Sequence, residues 1–92
     1  MYLEIVSPEA KLFQGEVNAV TVPGVQGSFQ VLNNHAAIVS SLSVGEAKIE
    51  GNIDVADAFK PLFTKKGSDT IVTLSNGGTF EMRNNMAVLF VD

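Results

Sequence analysis

The sequence predicts an all-β protein: a two-sheet β-sandwich of about eight to ten short strands that forms one domain over residues 1–92. Three observations support this fold class. Runs rich in Val, Ile, Leu and Phe are interrupted about every ten residues by Gly, Pro or Asn, a spacing typical of sandwiches and barrels. The composition, 46% hydrophobic and 17% charged, indicates a packed core and excludes a disordered chain. Helical periodicity is nearly absent.

The first half of the chain contains alternating runs typical of half-buried strands. Leu3 and Ile5 alternate with Glu4, which predicts an opening strand that ends at the turn Ser7-Pro8-Glu9. Glycines between the later runs fit turns between strands, so ligand-binding loops are not needed to explain them. Similar patterns predict further strands around 16–22, 29–31, 38–39 and 46–50.

Two hairpins in series are predicted near the end of the chain, with turns at Asn76-Gly77-Gly78 and Asn84-Asn85. The closing run Met86–Val91 is apolar at every position, which predicts a central strand and the most buried segment of the core. Phe29, Phe80 and Phe90 are also expected in the core.

One segment breaks the β pattern, an irregular or short helical excursion at about 53–68. Val55 and Phe59 are spaced four apart, and two Asp residues stand where the start of a helix favours acids. Pro61 is expected to end such a helix quickly.

Charge and composition narrow the class of function. The net charge of −4 with scattered charges does not fit a nucleic-acid binder. The chain has no cysteine, so a disulfide framework and a thiolate zinc site are excluded and a reducing cytoplasm is expected. No signal peptide and no apolar run of about 18 residues is found, so neither export nor membrane insertion is predicted.

Catalytic and cofactor chemistry is not indicated by the residues. His35 is the only histidine, and the sequence nominates neither a nucleophile nor an orienting partner for it. The carboxylates lack the spacing of a calcium loop or a zinc site. No catalytic residue, cofactor or metal is therefore predicted, and recognition through a face, an edge or loop tips is the expected mode of action.

Several motifs in a fixed order resemble one known family, the epsilon subunit of F-type ATP synthase, in its N-terminal β-sandwich domain. The similarity covers most of the chain and leaves out only about residues 50–69. The matching segments are Leu-Glu-Ile-Val-Ser-Pro-Glu at 3–9, Leu-Phe-Gln-Gly-Glu-Val at 12–17, Val-Pro-Gly at 22–24, Gly-Ser-Phe at 27–29, Val-Leu-Asn-Asn-His-Ala at 31–36, Leu-Ser-Asn-Gly-Gly-Thr-Phe-Glu-Met at 74–82 and Asn-Asn-Met-Ala-Val-Leu at 84–89.

The resemblance implies a central-stalk (rotor) subunit of a proton-translocating ATP synthase. Such a subunit couples rotation of the c ring and the gamma subunit to ATP synthesis and has no catalytic site of its own. It would lie peripherally at the cytoplasmic face of the bacterial inner membrane. Many family members continue into a C-terminal helical hairpin that can bind ATP, whereas this sequence stops at Asp92, so no bound ATP is expected.

The resemblance also assigns two groups of interface residues by position. Ser7, His35 and Ala36 match positions near the gamma subunit, although Ala37 stands where the family has proline. The loop 22–29 matches the segment that faces the c ring, and some members carry an acid at the position of Ser28. The residues assigned to the c ring are Gly24, Gln26, Gly27 and Ser28.

Two other functions stay open on the residues alone. A stand-alone β-sandwich ligand-binding module fits the composition, but one Tyr and no Trp offer few aromatic side chains for a cleft. A small hydrolase would have to use His35 with a neighbouring acid.

Overall fold

Ten β-strands and one short 3₁₀ helix make up the computed structural model, which describes residues 1–92. The all-β prediction and the expected number of strands are confirmed. A helical segment with the length and hydropathy of a transmembrane span is not found in the structure. The first six strands are β1 (Tyr2–Val6), β2 (Lys11–Glu16), β3 (Ala19–Gly24), β4 (Gly27–Leu32), β5 (Ile38–Leu42) and β6 (Gly45–Glu50). The 3₁₀ helix Asp57–Leu62 is followed by β7 (Phe63–Lys66), β8 (Asp69–Leu74), β9 (Gly78–Arg83) and β10 (Met86–Val91).

The strands form two layers that are joined at one corner. The first sheet has the order β2-β1-β10-β9-β5, and the second has the order β4-β3-β6-β8-β7. A single pair, Gly24 with Leu42, connects β3 to β5 and makes the hydrogen-bonded path continuous. Only β1 and β10 run parallel; the other pairs are antiparallel. The predicted hairpin β9–β10 forms, but the one predicted at Asn76-Gly77-Gly78 is wrong: β8 pairs with β6 and β7, and the turn carries the chain from the second sheet to the first.

The core lies between the two layers and follows the period of two that the sequence shows. Leu3 and Ile5 point inward as predicted, and both are fully buried. Phe80 is also fully buried, and its ring meets that of the partly buried Phe29 edge-on, with 6.4 Å between centroids. This edge-to-face pair joins β4 of the second sheet to β9 of the first.

The closing strand β10 lies centrally in the first sheet, between β1 and β9, as predicted. The prediction that it is the most buried segment is wrong, because a two-layer sandwich covers only one face of each sheet. Ala87 and Leu89 face the core, whereas Met86 is 57% exposed and Phe90 is 37% exposed. Phe90 is therefore not a core residue, contrary to the prediction.

The excursion after β6 covers the side of the sandwich where the edge strands β2 and β7 leave the two sheets open. Its anchors are Ile53, which is buried, and Phe59, which packs against the core from the 3₁₀ helix. Pro61 lies inside this helix instead of ending it. The excursion is shorter than expected, since the chain returns to a sheet at Phe63, where β7 pairs with β8.

An exposed ion pair spans the 3₁₀ helix between Lys60 Nζ and Asp57 Oδ1, 2.9 Å apart. The hydrogen bond from Lys60, together with its positive charge, lowers the pKa of the Asp57 carboxyl, and the same contact raises the pKa of Lys60. Both side chains are open to solvent, so the pair contributes little to stability.

Replacing Thr70 by Val is expected to stabilise the protein by about 1 kcal/mol. Thr70 is fully buried on the inner face of β8, and its Oγ1 has no hydrogen-bond partner. Valine has nearly the same shape and removes the unpaired hydroxyl. Urea unfolding would measure the change, with the exposed Thr73→Val on the same strand as a control that should stay near neutral. If Thr70→Val instead destabilised the protein, the Thr70 hydroxyl would have a hydrogen-bond partner in solution.

Candidate interaction surfaces

The outer faces of the two sheets differ in chemistry. On the first sheet, apolar side chains of β1, β5 and β10 point to solvent, and Val39 is 73% exposed. On the second sheet, the outward positions carry mainly charged or hydroxyl groups, such as Glu46, Lys48 and Thr73. We call the outer surface of the first sheet the apolar face; its apolar members are Tyr2, Val6, Val39, Met86, Val88 and Phe90.

Strand register brings these side chains together from distant parts of the chain. Tyr2 pairs with Met86, and Val6 pairs with Phe90. A groove of about 510 Å³ runs beside them and includes Val39, Met86 and Val88 in its lining. Two acids lie within this face, since Glu4 and Glu81 flank Val88, and Arg83 pairs with Met86 at its end. Apolar side chains interspersed with a few charged ones are typical of protein docking surfaces. The apolar face can therefore bury hydrophobic area against a partner.

His35 lies in the turn between β4 and β5, at the end of the apolar face where Met86 begins β10. Its Nδ1 donates a hydrogen bond to the carbonyl oxygen of Ala36 at 2.7 Å, and both residues are exposed. The backbone N–H of Asn34 donates to Asn85 Oδ1 at 2.7 Å, which ties this turn to the β9–β10 hairpin. The backbone geometry thus holds the predicted gamma-contact residues His35 and Ala36 beside the apolar face.

Ser7 lies at the opposite end of the first sheet, just after Val6. Its Oγ accepts a hydrogen bond from the backbone N–H of Ala10 at 3.2 Å, within the predicted turn. The structure therefore does not bring Ser7 next to His35. A partner that contacts both must extend along the length of the apolar face.

The residues assigned to the c ring form the tight hairpin between β3 and β4. Gln26, Gly27 and Ser28 are exposed at its tip, whereas Gly24 is buried. A Cβ at Gly24 would lie 2.7 Å from the carbonyl oxygen of Gly27 and 2.8 Å from the Phe29 ring. Gly24 therefore permits close packing within the hairpin, and the tip residues carry the available surface.

The segment of the chain that forms this hairpin and the following strand β5 contains no acidic residue, lysine or arginine. Between Glu16 and Glu46 the sequence contains no Lys, Arg, Asp or Glu. The strands β3, β4 and β5 all fall in this interval. Any partner that contacts these strands meets backbone groups, amides, hydroxyls and apolar side chains.

Sequence reasoning did not identify the apolar face. It treated the apolar run of β10 as buried on both sides, although Met86 and Phe90 point outward. The same signal, a strand apolar on both faces, also fits a sheet whose outer face is reserved for a partner. No three His, Asp or Glu side chains come close enough to suggest a metal site.

Fold and surface together define a β-sandwich domain whose first sheet exposes apolar side chains on its outer face. The chain belongs to the family of the ATP synthase delta/epsilon chain β-sandwich domain, which matches residues 1–92. The ATP synthase epsilon chain of Chlorobaculum tepidum is 32% identical over 90 residues, covering 98% of this chain and 86% of the relative. That of Campylobacter curvus is 34% identical over 92 residues, covering 97% of this chain and 70% of the relative.

A solved structure supports the fold assignment. A chain in the cryo-EM structure of the central stalk and c ring of Tetrahymena thermophila mitochondrial ATP synthase matches with a TM-score of 0.71 at 16% sequence identity. The match covers 98% of this chain and 61% of that chain, so this chain spans about three fifths of it. The family assignment confirms the resemblance to the epsilon subunit of ATP synthase.

Proposed function

We propose that this chain is a rotor subunit of a proton-translocating ATP synthase, seated on the central stalk, where it couples rotation of the c ring and the gamma subunit to ATP synthesis. Family membership supports the assignment of this chain to an ATP synthase. The similarity to a chain in a structure of the central stalk and c ring supports its position in that complex. In a bacterium this position lies at the cytoplasmic face of the inner membrane. The catalytic nucleotide sites lie on other subunits.

The proposed contact with the gamma subunit is based on the apolar face. Met86 and Val39 are exposed and Val88 is half-buried; they lie on rigid strands around Glu81, next to the His35 turn. Burial of such a patch contributes roughly 25 cal/mol for each Å² removed from water. The gamma subunit therefore covers the apolar face from the His35 end toward Ser7, and the outer face of the second sheet stays in solvent.

In this proposal, the c ring contacts the hairpin tip Gln26–Ser28. The tip has no charged side chain, so contacts with polar loops of the ring use amide, hydroxyl and backbone groups. Torque passes between the two contacts only if the domain resists shear. A close-packed sandwich with a Phe29–Phe80 pair across its layers has that stiffness.

Replacing Met86 by Glu is expected to weaken binding to the gamma subunit of the same organism by about 100-fold or more, because a charge would be buried in an apolar contact. Met86 is 57% exposed, so the free domain should fold normally. Isothermal titration calorimetry with purified gamma subunit would measure the change.

Two variants control this experiment. Thr73→Glu adds the same charge on the outer face of the second sheet, and Gln26→Glu adds it at the hairpin assigned to the c ring. Both should bind gamma like the unchanged chain. Equal loss in all three variants would point to nonspecific electrostatics. No binding by the unchanged chain at micromolar concentration would contradict the rotor proposal and favour a stand-alone ligand-binding sandwich.

A further inference from the structure

The strand β4 is an edge strand with a row of backbone hydrogen-bonding groups on its outer side, where the carbonyl oxygen of Leu32 already accepts the N–H of His35 at 3.1 Å. The N–H of Ser43 donates to the carbonyl of Pro23 at 2.8 Å, so the backbone of Pro23 points away from β4. Residues alternate along a strand, and Val22 therefore bonds to its register partner Phe29. It follows that alternate residues of β4, namely Ser28, Gln30 and Leu32, direct their N–H groups to the free edge.

This edge lacks the charged residues that protect the edges of β2 and β7. The end strand β5 is also uncharged, but its outer edge is partly occupied, since Leu42 pairs with Gly24 and the carbonyl oxygen of Ser41 accepts the N–H of Val25. β2 carries Lys11 and Glu16, and β7 carries Lys65 and Lys66. Charged side chains, above all Lys, hinder the addition of another strand. β4 has none, and Leu32 on it is 54% exposed. The edge is therefore open to pairing with an uncharged extended segment.

We propose that the β4 edge is a strand-addition site whose occupant is β4 of a second copy of this chain, paired antiparallel about a twofold axis at Gln30. β4 is itself an uncharged extended segment of matching length. Pairing two such edges gives a continuous sheet through both copies, with the same surface used on each side.

One register of the two β4 strands satisfies both the side-chain faces and the backbone hydrogen bonds. With Gln30 opposite Gln30 of the second copy, Ser28 lies opposite Leu32 on the outer face, and Phe29 lies opposite Val31 on the inner face. Residues 28, 30 and 32 direct their backbone groups to the free edge, and these same residues form the hydrogen-bonded pairs across the axis. In the pair of Ser28 with Leu32, the Leu32 carbonyl oxygen accepts a second hydrogen bond besides that from the N–H of His35. A shift by one residue would place inner side chains opposite outer ones.

The dimer is weak because the contact is small. One six-residue strand from each copy is well below the roughly 20–30 residues per side of a stable interface. We expect a dissociation constant on the order of 100 µM. The chain is thus a monomer when dilute and a dimer when concentrated.

Sedimentation equilibrium and amide hydrogen exchange, both measured on the full chain from about 10 µM to 1 mM, test this inference. The mass is expected to approach twice that of the monomer, and exchange at Ser28, Gln30 and Leu32 is expected to slow severalfold as concentration rises. Phe29 and Val31 are already bonded to β3 and should show no comparable change. A constant monomer mass would overturn the proposal. Dimerisation without this alternating pattern would place the contact on another surface and would also overturn it.

Gln30→Lys provides the matched variant. It places two positive charges opposite each other at the twofold axis, and the new side chain stays near Glu50, whose Oε2 accepts a hydrogen bond from Gln30 Nε2 at 2.8 Å. The dissociation constant should rise at least tenfold. Thr73→Lys adds the same charge on β8, away from the edge, and should leave dimerisation unchanged. A dimer that survives Gln30→Lys, or that Thr73→Lys removes equally, would contradict the proposed register.

Discussion

Replacing Phe80 by Ala is expected to lower the free energy of unfolding by about 3–5 kcal/mol. The side chain is fully buried in β9 and packs edge-on against Phe29 from the opposite layer. Its removal leaves a cavity and breaks the aromatic contact that joins the two sheets. Urea unfolding followed by circular dichroism would measure the loss, which is a large part of the stability of a domain of this size.

Phe90→Ala is the control for this change, because it removes the same side chain from β10. Phe90 is 37% exposed and points away from the core, so its replacement should cost about 1 kcal/mol or less. A similar loss from both variants would mean that the apolar face is covered in the free protein. A small loss from Phe80→Ala would mean that the core between the sheets is loosely packed.

Gly78→Ala is expected to destabilise the domain by about 3 kcal/mol or more, at the upper end of the range for overpacking. Gly78 begins β9 opposite Val91, and a Cβ there would overlap the backbone carbonyl oxygen of Phe90. Backbone cannot rotate away as a side chain does, so the β9–β10 pairing must shift. Urea unfolding and the near-ultraviolet circular dichroism spectrum would report the change.

The matched control is Gly67→Ala, in the turn between β7 and β8. A Cβ at Gly67 has no neighbour within 4 Å, and only the positive φ of +65° opposes the change. We expect a cost of about 1–2 kcal/mol from the left-handed conformation alone. If Gly78→Ala cost no more than Gly67→Ala, the close approach of β9 to β10 would not be a constraint on the fold.

The interface residues could be predicted only as positions in a resemblance. His35 and Ala36 lie beside an apolar face, and Gln26, Gly27 and Ser28 lie at an exposed hairpin tip, but no contact with gamma or the c ring follows from sequence patterns. Ser7 lies at the far end of the same sheet, because β1 runs parallel to β10 and carries the chain away from the His35 turn. Local patterns carry no information on such distances.

The sequence by itself determined the all-β class, the positions of the turns and the inward set of the clearly alternating strands, because side-chain alternation and glycine or asparagine turns are local properties. Leu3, Ile5 and the Asn84-Asn85 turn, where both residues have positive φ, follow directly from it. Only the tertiary structure decided that β10 is covered on one face, that β7 returns to the second sheet, and that β4 keeps a free edge. Burial of a strand's second face and occupation of its second edge depend on which strands become neighbours, and that arrangement is set by packing between residues far apart in the chain.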